Sequence, residues 1–393
     1  MQGFNEFRLP PVILYGRDSL TKLGEQASSL GSKTLLVSDR IMEKIGNVAK
    51  CQEQLEQCGV SVVCYLDVNT EPTDVYVAEA TQLLLEHNCD SIVAIGGGSC
   101  IDAAKAVSVV ASNGGYIGDY SGGQKSIMIA PIPLIAIPTT AGTGSEMTSV
   151  TVITNPETNI KLMIKHPTFI PAVAIVDPLM TLSTPPPVTA ATGVDALCHA
   201  IEAYISKKAQ PLTDKLALSA IERIAGNIRT AFTNGSDIDA REQMALASME
   251  AGAAFTNASV TLVHAMSRPI GAMFHVPHGI SNAMLLPAVL EFTCKSAITR
   301  MATIGRLLRP DLSTSTDELL ATTCIKEIKQ LCKQLEIPNM KTYGIGQAQL
   351  DQVVDKMATD AITSGSPGNN PKVPTHEEIV ALYYRCYEYD FSK

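Results

Sequence analysis

Short apolar runs rich in β-branched residues recur through the first half of the chain: KTLLVSD at 33–39, VSVVCYL at 60–66, SIVAIGG at 91–97, PLIAIPTT at 133–140, TVIT at 151–154 and AVAIVD at 172–177. Between them, apolar positions return at helical spacing and predict helices over 18–30, 41–58, 73–88 and 101–113. Strands alternating with helices predict a parallel sheet covered on both faces. After Asp177 the strand signal stops, and STPPPVT at 183–189 reads as a stiff link. Beyond it Leu218, Ile221, Ala225 and Ile228 share a helical face, and further helices are expected over 236–255, 283–308, 316–335, 347–357 and 376–387. The last opens with Thr375-His-Glu-Glu378, a capping-box pattern. The pattern divides the chain into an N-terminal α/β domain, residues 1–182, and an all-helical domain, residues 183–393.

Composition excludes several classes of function. With 46% hydrophobic and 18% charged residues in 393 positions, the chain has the makings of a large core rather than of a disordered segment. The net charge is −9 and no Lys/Arg run reaches four residues, which argues against a nucleic-acid partner. The opening MQGFNEFRLPPVILYG lacks the basic start and long apolar core of a signal peptide. The longest apolar run, 127–137, is interrupted by Pro131 and Pro133 and is too short to span a bilayer, so no membrane role is expected. Ten cysteines without a CxxC pair read as free thiols in a reducing, cytoplasmic setting.

Two loops carry the first candidate chemistry. The strand pattern 91–95 runs into Gly96-Gly97-Gly98-Ser99 and then a helix, which forms an anion site: glycines let the backbone approach a phosphate, and the free N–H groups of the first helical turn point at it. Ser99 suits the N-cap, with Asp102 three residues on. The spacing is not GxGxxG, and a capped helix after a plain glycine turn is the competing reading. PTTAGTGSEMTS, 138–149, is a second polar loop at a strand end, with Thr139, Thr140, Thr143, Ser145 and Thr148. Such loops bind nucleotides in open α/β sheets, although their hydroxyls can also merely bond their own backbone. Asp39 ends a strand and could hold a ribose diol, or cap the helix that begins near Ile41.

The helical half holds the second cluster. TLVHAMSRPIGAMFHVPHGISN, 261–282, carries His264, His275 and His278, three of seven histidines. GVDALCHAIEAY puts Asp195 and His199 four residues apart, on one helical face. One carboxylate and three imidazoles can enclose a divalent metal if the segments meet. His87, His166 and His376 read as surface or satisfied core residues.

GGGSCIDAAK, PTTAGTGSE, ATGVDALCHAIEAY, HAMSRPIGAMFHVPHGISNAMLLP and NPKVPTHEEI, in this order over nearly the whole chain, resemble the iron-containing (group III) alcohol dehydrogenase family. The resemblance implies a Rossmann-like dinucleotide-binding domain, then a helical metal domain of the dehydroquinate synthase-like type, with the active site in the cleft between. It implies Asp195, His199, His264 and His278 as metal ligands. Gly97, Gly98, Ser99 and Asp102, after Gly96, would line the pyrophosphate, and Thr139, Thr140, Thr143, Thr148, Val150 and Lys161 the rest of an NAD cofactor. Asp39 would sit at the adenosine ribose. The substrate would be a small alcohol, diol or aldehyde, and the assembly a homodimer or larger. Four protein ligands suit Fe(II) better than tetrahedral Zn(II), although zinc binds most such sites more tightly.

Departures from the family pattern affect the substrate. Many members carry His where this chain has Arg268, and relatives such as lactaldehyde reductase have Asn where it has Glu71. Arg268 precedes a proline, which disfavours helical geometry and predicts a helix end there. With Arg268 permanently charged, His275 is the candidate to relay the alcohol proton, beside ligand His264. Three other readings compete: a zinc-dependent polyol dehydrogenase of the same fold, a dehydroquinate-synthase-type lyase, which would need a basic substrate pocket, and a non-enzymatic nucleotide-binding module, which would need no metal set.

Overall fold

A computed structural model describes residues 4–158 and 160–392. The chain forms two compact units, one of Arg8–Thr184 and the other of the helices from Pro185 onward with the segment ending at Phe7.

In the first unit the strands are β1 (Val12–Tyr15), β2 (Lys33–Val37), β3 (Ser61–Tyr65), β4 (Ser91–Gly96), β5 (Leu134–Pro138), β6 (Val150–Asn155), β7 (Ile160–Lys165) and β8 (Val173–Val176). The helices are α1 (Leu23–Leu30), α2 (Arg40–Lys44), α3 (Asn47–Gln57), α4 (Asp74–Glu86) and α5 (Gly98–Asn113). Six strands make one parallel sheet in the order β1-β8-β5-β4-β2-β3. The period-2 alternation of each strand feeds two cores. Leu35, Ile92, Ala94 and Ala136 pack with Val77, Leu84, Ile101 and Val107 of α4 and α5. Leu36, Val93, Ile95 and Ile135 pack with Leu23, Val48, Cys51 and Leu55 of α1 and α3. Helices therefore cover both faces, as the unbroken apolar runs require.

Some local expectations are corrected. TVIT belongs to β6, which leaves the main sheet and pairs antiparallel with β7 as a hairpin. Its outer positions are polar or half-exposed, so it lacks the fully apolar character of a buried parallel strand. The edge strand β1 leaves little trace in the apolar pattern, because only four residues pair, on one side. The helix expected over 41–58 is broken by Gly46, whose φ of 85° ends α2. Ser99 is not an N-cap: Gly97 holds that position and α5 begins at Gly98.

The second unit contains α6 (Pro186–Ile205), α7 (Pro211–Thr233), α8 (Ile238–Ala258), α9 (Leu262–Phe274), α10 (His278–Thr293), α11 (Ile298–Leu308), α12 (Asp317–Gln334), α13 (Met340–Tyr343), α14 (Gln347–Thr363) and α15 (His376–Tyr387). The link STPPPVT is in part the start of α6: prolines fit a first helical turn, whose N–H groups have no intrahelical partner anyway. α6 is buried almost throughout and packs on α7, α8 and α10, while α9 packs on α10 and α14. The helix expected over 283–308 divides into α10 and α11, and Thr375 caps α15 as its capping box predicts. Arg268 lies inside α9, not at its end, because the helix continues through Pro269. The proline removes one backbone bond, which burial of Val263, Met266 and Ile270 on this helix outweighs.

Candidate active site

Sheet order alone gathers the loops of the first unit. β2, β4 and β5 are neighbours and parallel, so the segments that follow them emerge side by side at one edge. These segments are Asp39, the glycine turn and the threonine loop. Their contacts are close. The Thr139 N–H donates to the Gly96 carbonyl at 2.9 Å. A Cβ on Gly98 would lie 2.7 Å from the Thr143 side chain, so the turn has no room there for a larger residue. Gly96 has a φ of 154°, a conformation that other residues rarely adopt. α5 carries no side-chain cap at Gly97, leaving its first-turn amides for an anion.

Asp39 caps α2 and also turns one oxygen toward the glycine turn. Its Oδ1 accepts from the Ile41 and Met42 amides, each at 2.8 Å, and so caps α2. Its Oδ2 faces the glycine turn, with the Cys100 thiol at 3.7 Å. Asp102 is tied down: Oδ1 accepts from Ser145 Oγ at 2.6 Å and Oδ2 from the Val152 amide at 2.9 Å. It fastens the threonine loop and the β6–β7 hairpin to α5. Lys161 pairs with Glu71 at 2.5 Å, which gives that unusual glutamate a partner.

Beneath these loops lies a residue the motif reading passed over. Lys105 is buried, and its ammonium donates to Ser145 Oγ at 2.9 Å, Thr148 Oγ1 at 2.8 Å and the Val150 carbonyl at 2.9 Å, its full complement of donors. Burial pulls it down to about 8, against the pull of Asp102 and Glu146. Burial pushes neighbouring Glu146 up to about 7. Thr148 and Val150 thus hold Lys105, which shapes the loop from inside.

In the second unit, α6, α9 and α10 bring together four side chains that are dispersed in sequence. Asp195, His199, His264 and His278 each offer a donor atom, and these atoms lie within 4.8 Å of one another. From Asp195 Oδ1 the distances are 4.0 Å to His199 Nδ1, 3.5 Å to His264 Nε2 and 3.9 Å to His278 Nε2. Donors about 2.1 Å from a shared ion stand roughly 3.4 Å apart or somewhat more, so the spacing fits one metal. Asp195, His199 and His264 are buried, whereas the His278 side chain is 37% exposed, which leaves the cluster approachable from that side.

Two further residues show that these donors suit a cation. Glu202, also on α6, accepts His264 Nδ1–H at 2.5 Å, with Thr261 Oγ1 at 2.7 Å and the Val263 amide at 2.6 Å on its other oxygen. The ring proton is thereby fixed on Nδ1, and the Nε2 lone pair is aimed at the cluster. Asn282 puts Nδ2 2.6 Å from Asp195 Oδ1 and 3.1 Å from both His264 Nε2 and His278 Nε2. Three acceptors converge on an amide with two protons, so acceptor capacity is left over for a positive ion. The Asn282 Oδ1 is buried without a partner. Charge attraction tells the same story. Burial disfavours the charged forms, yet the histidines hold Asp195 well below the usual carboxylate range, and Glu202 and Asp195 raise His264 to about 9, so a cation that takes up Nε2 displaces a proton from it. Neither Glu202 nor Asn282 was singled out from sequence. The signal for Glu202 was its place three residues after His199, on the same helical face.

His275 does not join this set. It is the left-handed C-cap of α9 (φ 55°), with an exposed side chain.

Comparisons with known proteins point to one family. Residues 10–178 match the family model described as iron-containing alcohol dehydrogenase, and residues 189–387 the model for the C-terminal part of the Fe-containing alcohol dehydrogenase family. The NAD-dependent methanol dehydrogenase of Bacillus methanolicus is 36% identical over 96% of this chain and 98% of its own. A crystal structure of a 1,3-propanediol oxidoreductase superposes with a TM-score of 0.93 at 35% identity, covering 98% of this chain and 100% of the other. Sulfoacetaldehyde reductase from Bifidobacterium kashiwanohense, in complex with NAD+, gives 0.87 at 27% identity, with coverage of 98% and 100%.

Proposed function

Because this chain belongs to the iron-containing alcohol dehydrogenase family, we propose that it interconverts a small alcohol or diol and the corresponding aldehyde with NAD(H). Asp195, His199, His264 and His278 hold a divalent ion, Fe(II) by family with Zn(II) the competing occupant. That ion, when bound, acts as a Lewis acid on the reacting oxygen, favouring the deprotonated alcohol in one direction and polarising the carbonyl in the other. Glu202 fixes the tautomer of His264. The amides of Gly98 and Ser99 at the start of α5 receive the pyrophosphate, and Asp39 Oδ2 the adenosine ribose. Thr139, Thr140, Thr143 and Lys161 line the remainder of the cofactor. His275 carries the released proton to water; its exposure three residues before His278 supports that role.

The observation that carries this reading is the convergence of four donors with a carboxylate-locked histidine. A zinc polyol dehydrogenase is not favoured, since the fourth donor, His199, is part of the cluster. The relatives are named for choline, methanol, 1,3-propanediol and sulfoacetaldehyde, which supports a short substrate and leaves its charge to this chain's own residues. No helix among the described residues is long and apolar enough to cross a membrane, and the ten cysteines are all free thiols. We place the protein in the cytoplasm, as a homo-oligomer. The decisive experiment strips the metal with chelator, restores Fe(II) anaerobically or Zn(II), and follows NADH oxidation with propanal. Turnover should vanish and return. Full activity of metal-free protein would overturn the proposal.

A further inference from the structure

Arg268 stands on α9 four residues after His264, so the two side chains leave the same helical face with about 6 Å of rise between their Cα atoms. It is partly buried, and among the described residues it has no hydrogen-bond or ion-pair partner. The charge that acts on it is Glu202, yet the Glu202 oxygens already accept from Thr261, Val263 and His264. Burial lowers the guanidinium from its ordinary value, but at neutral pH it stays charged. A withdrawn, unpaired guanidinium is costly unless something fills it.

The local charge balance says what fills it. In the metal-loaded site the two carboxylates, Asp195 and Glu202, together offset a divalent ion, and the histidines are neutral ligands. Arg268 is then the uncompensated charge. We infer that Arg268 anchors an anionic group of the substrate, so that the physiological substrates are short aldehydes and alcohols ending in a carboxylate or sulfonate. The planar fork of the guanidinium receives two oxygens of such a group at once. With about 6 Å between the two positions along the helix, a substrate whose reacting oxygen faces the four-donor cluster has room for roughly two to four carbons before its anionic end. This deepens the dehydrogenase reading and rests on it.

The test compares charge at matched size. kcat/KM is measured with 4-oxobutanoate and 2-sulfoacetaldehyde against 4-methylpentanal and 3,3-dimethylbutanal, in wild type, Arg268→Met and Arg268→Lys, with metal content checked. Wild type should favour the anionic member of each pair at least tenfold. The anionic-to-neutral ratio should fall about 30-fold in Arg268→Met, the scale of a charged hydrogen-bonded pair, and recover in part in Arg268→Lys. The two anionic substrates separate carboxylate from sulfonate. A second readout needs no turnover: calorimetric binding of 4-hydroxybutanoate and 1,4-butanediol to zinc-loaded protein without nucleotide, where the carboxylate should bind at least tenfold tighter. Equal binding of the two in wild type, or an unchanged ratio in folded Arg268→Met, overturns the inference. If the variants do not fold, the wild-type binding comparison decides alone. Loss of turnover with all four aldehydes would count against the dehydrogenase reading, and the calorimetry would still judge Arg268.

Discussion

Replacing Glu202 by Gln exchanges one oxygen for an NH2 group and should weaken the site's hold on its metal. In the native chain the carboxylate takes His264 Nδ1–H on one oxygen and Thr261 and Val263 on the other. A glutamine can keep the latter pair with its carbonyl oxygen, but its NH2 group then faces Nδ1–H, donor against donor. The ring escapes by moving its proton to Nε2, which removes the lone pair aimed at the cluster, or it keeps the tautomer and loses the bond. A hydrogen bond to a charged group is worth roughly 1.5–3 kcal/mol. At about 1.4 kcal/mol per tenfold, metal affinity should drop roughly 10- to 100-fold, which matches the usual effect of such supporting carboxylates. The assay is competition for Zn(II) or Co(II) against a chromophoric chelator, with circular dichroism to confirm folding. Turnover at saturating metal should recover more fully than affinity. A folded Glu202→Gln protein that binds metal within threefold of wild type would refute the argument.

Other expectations follow from single contacts. Asp39→Asn keeps the oxygen that caps α2 while removing the charge beside the glycine turn, so discrimination against NADPH in kcat/KM should shrink with little change in Tm; an unchanged preference would leave Asp39 a helix cap only. Glu146 is protonated in the folded state up to about 7 but ionises near its ordinary value when unfolded, so the unfolded chain loses its proton first and stability falls as pH rises between the two. Glu146→Gln should abolish that fall, worth up to about 3 kcal/mol, in urea unfolding at pH 5 and 7.5; an identical pH slope in both proteins would contradict it. His275→Asn, still metallated, should slow kcat about ten- to a thousandfold, whereas an unchanged kcat assigns the proton path to water.

Periodicity and punctuation by themselves determined a good deal of this protein. Unbroken apolar runs such as SIVAI and LIAI could only be strands covered on both sides, and the cores on either side of β4 and β5 bear that out. The loss of strand signal after Asp177 gave the helical half, and Thr375 with Glu378 gave the start of its last helix. Motif order pointed to the family, and with it the four donors that α6, α9 and α10 assemble. These features are legible because they are local, or because a local spacing such as Asp195 to His199 fixes a shared face. What tertiary structure alone decided is set by partners distant in sequence. β6 departs from the sheet because it meets β7, and a run of four β-branched residues does not encode its neighbour. Arg268 stays helical because packing on both sides outweighs the local penalty at Pro269. Lys105 looks like any helix-surface lysine until the threonine loop closes over it. Glu202 and Asn282 become part of the metal cluster only when α9 and α10 fold against α6, since a hydrogen-bond partner 62 residues away leaves no mark on the spacing of either segment.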